Sequence, residues 1–130
     1  MFEKLELTRM AQALARHAGA RMGAVAQNVA HADTPGYRAV QLASFAESYK
    51  QGDQGEMRAT RPGHFTNSEQ DAMAPTPTRA RSLSGAPNGN SVSIEQEMVN
   101  SAQARQDHEM ALAIYRNTSS ILRASLGRQG

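Results

Sequence analysis

The four residues Asp33-Thr34-Pro35-Gly36 constrain this chain most, because they bring the first of its long helical patterns to an abrupt stop. Residues 1–32 contain no proline, and Leu7, Met10, Leu14, Ala18, Met22, Val25, Val29 and Ala32 recur at spacings of three and four. That is the period of an amphipathic helix or a coiled-coil seam. Gly19 and Gly23 each cost up to ~1 kcal/mol relative to alanine, and they allow another helix to approach closely. The stripe is built of small residues and methionine, so it packs well in an assembly but holds an isolated helix poorly. The same periodicity equally suits a helix of an ordinary bundle. At Thr34 the helix must stop, since proline disfavours the α conformation of the residue before it. Pro35 presets its own φ, and Gly36 accepts the positive φ of a type II turn. Asp33 can bond the following backbone. Tyr37 offers a large aromatic anchor just past the turn.

Residues 91–126 predict a second long helix. Ser93 is an N-cap, and Gln96 three residues later completes a capping box. Glu95 and Glu97 fall in the first turn, where the helix dipole favours acids. Arg123 lies near the other end, and Gly127 is a C-terminal stop. At ~100° per residue, Met110, Ile114 and Ile121 share one strip. Ala111, Tyr115, Leu122 and Leu126 share another. A single partner helix buries a narrower stripe than the two together, so this helix is expected to have more than one neighbour. A three- or four-helix bundle is the other arrangement, although the chain offers only two good long helices.

The segment between them differs in kind. Val40, Leu42, Phe45 and Tyr49 suit either a short helical turn or an extended stretch. Gln51-Gly52-Asp53-Gln54-Gly55 predicts a flexible loop, and residues 57–65 an extended stretch around the Pro62-Gly63 turn. Residues 72–90 hold Pro75, Pro77, Pro87, Gly85 and Gly89 among many Ser, Thr and Asn. That is a linker composition, unsuited to burying a core. A stretch of this kind fits a hairpin of two long helices with a loose excursion at one end. At 130 residues the chain is one domain at most. It divides into a helix at 1–33, an irregular and extended middle at 34–90, and a helix at 91–130. Hydrophobic residues make up 39%, aromatics 5%, and tryptophan is missing, which is thin for a self-sufficient core. A modest helical core must suffice, or other subunits complete it.

Catalytic, metal and cofactor chemistry finds no foothold. Without cysteine there is neither a disulfide framework nor a Cys-based zinc site. His17, His31, His64 and His108 lack metal-ligand spacing, and surface or packing roles are expected of them. No glycine loop carries the lysine of a phosphate site, and the serines around residues 82–91 mark no nucleophile elbow. Glu95 and Glu97 point to different helix faces and read as capping and solvating groups. A small hydrolase or metal enzyme would need a convergent constellation, and none is visible. Fourteen basic and twelve acidic residues, a net charge of +2, are interspersed. A helical regulatory or nucleic-acid-binding module would need its basic residues clustered on one face. No apolar run approaches the ~18 residues of a membrane span. The opening MFEKLELTRM lacks the apolar core and cleavage site of a secretory signal.

Two stretches carry a resemblance. Residues 26–39, AQNVAHADTPGYRA, resemble the signature of the bacterial flagellar axial proteins of the rod and hook, roughly A-N-N-[IV]-A-N-x-[DNS]-T-x-G-[YF]-[KR]. Ala26, Asn28, Val29, Ala30, Asp33, Thr34, Pro35, Gly36, Tyr37 and Arg38 match; Gln27 and His31 stand where asparagine is usual. Residues 88–98, NGNSVSIEQEM, resemble the G-N-N-V-[DS]-[LI]-E-x-E-M stretch that opens the C-terminal helix in the FlgB branch of that family, with Glu97 and Met98 at its end. The FlgC branch carries a different motif there and is the alternative within the family. The resemblance covers about half the chain and matches the middle only loosely. It implies an all-α fold whose N- and C-terminal helices form an antiparallel coiled-coil hairpin in the inner layer of a helical tube. It implies a structural subunit of the basal-body rod, exported without a cleaved signal into the periplasm-spanning rod. Implied partners are copies of itself, FlgC-like rod proteins, a FliE-like adaptor and the MS ring; neither nucleic acid nor direct membrane insertion is expected. Assembly residues implied or read from the apolar strips are Asn28, Ala30, Asp33, Thr34, Pro35, Gly36, Tyr37, Glu97, Met98, Ile114, Tyr115, Ile121 and Leu122.

Overall fold

The computed structural model describes residues 2–53, 77–79 and 87–127. They are mostly helical. Helix α1 spans Phe2–Ala30, strand β1 Val40–Leu42, helix α2 Phe45–Asp53, strand β2 Pro77–Arg79 and helix α3 Ile94–Gly127. The two long helices pack on each other. Arg21, late in α1, meets Gln103 and Asp107 in α3, at 3.2 and 3.3 Å. The chain just beyond α1, at His31, Ala32 and Thr34, meets Asn90, just before α3. Contacts therefore move down α3 as they move up α1.

The helix boundaries follow local chemistry. Helix α1 ends two residues before Ala32, with His31, Ala32 and Thr34 in tightening turns. Ser93 caps α3, its hydroxyl accepting the Gln96 N–H at 3.4 Å. The reciprocal half of the expected box does not form, because the Gln96 side chain turns forward to Asn100. Gly127, the expected stop, is the last described residue of α3.

In the middle, the structure corrects the expected loop at residues 51–53; Gln54 and Gly55 lie outside the described residues. Helix α2 runs on to Asp53, through the first part of the expected loop. Its start explains why. Ser44 and Glu47 form a full capping box: the Glu47 carboxylate accepts the Ser44 N–H, and the Ser44 hydroxyl accepts the Glu47 N–H. Strands β1 and β2 pair antiparallel, with Val40 opposite Arg79, Gln41 opposite Thr78 and Leu42 opposite Pro77. This small ribbon adds paired strands to a fold expected to be all-α with an extended, irregular middle, and it draws Pro77 out of the predicted linker. The extended stretch at 57–65 and most of the linker at 72–90 lie outside the described residues.

The seam between α1 and α3 is narrow and small. On α3, Glu97, Ala104, Ala111 and Thr118 are buried at heptad spacing, with Asn100, Asp107 and Ile114 half-buried between them. On α1, Ala11, Leu14, Ala18 and Asn28 are buried, with Arg21 and Val25 half-buried in the same register. This three–four alternation has the spacing of a coiled-coil seam. It is rotated from the apolar stripe predicted for α1: Leu7 and Val29 are exposed. Polar partners set the rotation, since Arg21 is drawn in by Asp107 and Asn28 by the backbone of Val40. Gly19 and Gly23 are also turned outward, with open space where a Cβ would sit. Among the described residues no helix uses the approach they allow. Among the described residues, Leu14 is the one large aliphatic side chain in the buried core.

Candidate functional site

The two sequence stretches singled out above meet at one junction, built around two asparagines. Asn28 sits near the end of α1 and is fully buried. Its Oδ1 accepts the Val40 N–H at 2.7 Å, and its Nδ2 donates to the Val40 carbonyl at 2.9 Å. One side-chain amide thus satisfies both backbone groups of a residue, as a neighbouring strand would. The Tyr37 hydroxyl donates to the same Oδ1 at 3.3 Å.

Asn90 closes the other side. Its Nδ2 lies 2.9, 2.7 and 2.9 Å from the carbonyls of His31, Ala32 and Thr34. A helix end leaves its last carbonyls short of partners; here one amide group from across the chain supplies the Ala32 carbonyl and joins the Thr34 and Tyr37 N–H groups at those of His31 and Thr34. The Asn90 Oδ1 accepts the Val92 N–H at 2.8 Å, steering the backbone into α3. Three further bonds knit the segments: the Gly36 N–H donates to the Asn88 carbonyl at 2.9 Å, the Ser91 N–H to the Tyr37 carbonyl at 3.0 Å, and the Ala39 N–H to the Ser91 hydroxyl at 2.8 Å.

Between them lies the turn. The Tyr37 N–H donates to the Thr34 carbonyl at 3.3 Å, and Gly36 has φ +72°, the positive φ expected of it. Gly89 has the same φ, and a Cβ on it would lie 3.5 Å from the Gly36 Cα. Asp33 is exposed and makes no side-chain bond to a described residue; the role expected of it falls to Asn90, whose amide reaches three carbonyls at once. The Tyr37 ring is half-buried and lies parallel on His31, 4.6 Å between centroids. His31 stands where the resembling family has asparagine, and here it provides the stacking surface.

The remaining sequence-selected residues scatter. Ala30, Thr34 and Pro35 are exposed beside the junction. Glu97 is buried on the seam, against the expectation of a solvating group; its Oε1 takes a long 3.5 Å bond from Asn100 and its Oε2 has no partner among the described residues. The heptad register of α3 forces this, placing Glu97 in line with Ala104 and Ala111. Met98, next to it, is 69% exposed. It borders a groove of about 500 Å³ between the helices, with Val25, Val29 and Ala102. Ile114 and Leu122 are half-buried, whereas Tyr115 and Ile121 are exposed. His17, read as a surface or packing residue, is buried. Its Nε2 donates to the Ala43 carbonyl at 2.8 Å, and its ring meets Phe45 edge-on.

Asn88, Gly89, Asn90 and Ser91 belong to the junction although motif and periodicity do not mark them as assembly residues. The signal was an asparagine-rich approach to a helix whose own cap, Ser93, comes later. Among the described residues no group of histidines and carboxylates could hold a metal ion, and no helix is long and apolar enough to cross a membrane. What the junction can do is mechanical: it fixes where both long helices begin and end relative to each other. No protein-family model and no curated protein matches the chain.

Proposed function

We propose that the chain is a structural subunit of the bacterial flagellar proximal rod, similar to FlgB, whose long helices form an antiparallel coiled-coil hairpin in a helical tube that transmits motor torque. The observation that carries the reading is the junction. The two stretches that resemble the axial-protein signature are far apart in sequence, yet they bond to each other through Asn88, Asn90 and Ser91 on one side and residues 31–39 on the other. A motif pair preserved for torque transmission would act in this way, locking the helix ends so that strain passes along the wall.

The balance of apolar surface also supports it. Phe2, Leu5, Met98, Met110, Tyr115, Ile121 and Leu126 are exposed in the single chain. Surface of this kind marks an interaction face, and it suits copies of the chain, FlgC-like subunits and a FliE-like adaptor on the MS ring as neighbours. Export without a cleaved signal follows from the same reading. The test is to purify hook–basal bodies from the source bacterium and quantify the chain by mass spectrometry, alongside a deletion strain. The chain should copurify in fixed ratio to FlgC, and the deletion should abolish swimming. Basal bodies free of the chain, or a motile deletion strain, would sink the proposal. Strong retention on heparin that weakens with salt would instead favour a nucleic-acid partner.

A further inference from the structure

We infer that the Asn88–Gly89 peptide is a site of spontaneous succinimide formation, through which the junction slowly loses an ammonia and gains an isoaspartyl link. In this reaction the Gly89 nitrogen attacks the Asn88 Cγ and gives up its proton to solvent. The Cγ–Nδ2 bond then breaks, and the nitrogen leaves as ammonia after taking a proton. Water opens the resulting ring at either carbonyl, giving aspartate or isoaspartate. The net change is asparagine plus water to the acid plus ammonia, with no oxidant or reductant.

Among the described asparagines, the structure leaves this one open to it. The attacking amide must be free to lose its proton, and the Gly89 N–H makes no hydrogen bond to a described residue. At every other described asparagine the following amide is occupied. Those of Val29, Ser101 and Thr118 lie within α1 and α3, and that of Ser91 is bonded to Tyr37. Gly89 also has no Cβ to block the approach. Asn88 is exposed, and its Nδ2, the leaving group, is bound by no described residue. The Asn90 N–H donates to the Asn88 Oδ1 at 3.1 Å, the oxygen that gathers negative charge as the bond forms; a fixed donor there lowers the barrier. The Gly36 N–H polarises the second carbonyl, that of Asn88 itself. Attack of water at that carbonyl yields isoaspartate, which lengthens the backbone by a carbon just where Asn90 is aimed at the end of α1.

The inference does not depend on the rod reading, and the intact purified chain tests it. Samples held at neutral and mildly alkaline pH are digested and mapped by mass spectrometry, with isoaspartate measured separately by enzymatic methylation. Asn88 should be lost several-fold faster than Asn28, Asn90, Asn100 or Asn117, and faster at the higher pH. Equal rates at all five, or an intact Asn88, would overturn the site. Hydrogen exchange then reads the consequence. The Gly36 amide should lose protection in the isoaspartyl fraction and keep it in the aspartyl fraction; equal protection in both would overturn the claimed opening of the junction.

Discussion

One Asn90 amide group serves three carbonyls, so its replacement tests the junction directly. Asn90→Ala leaves the Ala32 carbonyl without a donor among the described residues, while those of His31 and Thr34 keep the Thr34 and Tyr37 N–H groups; the loss should be ~1–3 kcal/mol, that of one group left unsatisfied. Asn90→Asp should be worse, because an oxygen would then face three carbonyl oxygens. Denaturant midpoints of the two variants give the order, and a milder Asp variant would mean that the three contacts hold little energy. At the turn, a Cβ on Gly36 would meet nothing, so Gly36→Val pays only for backbone strain at φ +72°, ~1–3 kcal/mol. Tyr37→Ala loses a parallel stack on His31, ~0.5–1.5 kcal/mol, and one hydrogen bond. Pro35→Ala keeps the same φ and loses only preorganisation. Stability should therefore fall by similar amounts for Gly36→Val and Tyr37→Ala, and least for Pro35→Ala. Gly36→Asn, a residue that tolerates positive φ, should recover much of the loss.

Among the elements, α1 is unevenly held. No residue among its first nine described positions is buried, and the seam begins at Ala11. Helical hydrogen bonds that lack tertiary cover open readily. Amide exchange in the isolated chain should be fast over residues 2–10 and slow over residues 14–28; uniform protection along α1 would mean that another contact covers its start. At the opposite end of the fold, Glu95 sits in the first turn of α3. A bond from its own backbone N–H, and then one from the Ser93 hydroxyl, hold its carboxyl below the usual carboxylate range. A carboxyl pKa depressed on folding adds stability above its unfolded value and loses it as pH falls through the folded one. Glu95→Gln should therefore flatten stability on the acid side while leaving the basic side unchanged. The group is fully exposed, so the change is small and best read as a difference between titration curves.

For the whole molecule, the decisive feature is that, among the described residues, more large apolar side chains lie outside than inside. The seam is lined by Ala11, Ala18, Ala104 and Ala111, which bring two helices close but remove little area from water. Leu122 and Ile121 separate the two kinds of surface. Leu122 is half-buried against its own chain, while Ile121 is 51% exposed. Ile121→Asp should leave the monomer's unfolding midpoint within about 0.5 kcal/mol of the parent, as exposed substitutions do, yet abolish sedimentable assembly. Leu122→Asp should lower both. An Ile121→Asp chain that assembles normally would show that this face stays in water.

Two long helices, the stop at residues 33–36, the Ser93 cap and the positive φ of Gly36 were legible in the sequence. Each depends on local rules: proline geometry, capping chemistry and the conformational freedom of glycine. The resemblance of two stretches was legible as well, but not that they touch. Tertiary structure alone decided the rotation of the seam, because it follows from Arg21 meeting Asp107 and Asn28 meeting Val40, pairs invisible to apolar periodicity. It decided that Glu97 is buried, that Gly19 and Gly23 face outward, and that Pro77 joins a strand. It also decided that Asn90 closes α1, a hydrogen bond across 56–59 residues. Local sequence sets what an element is; which of its polar groups needs a distant partner is known only when the partner arrives.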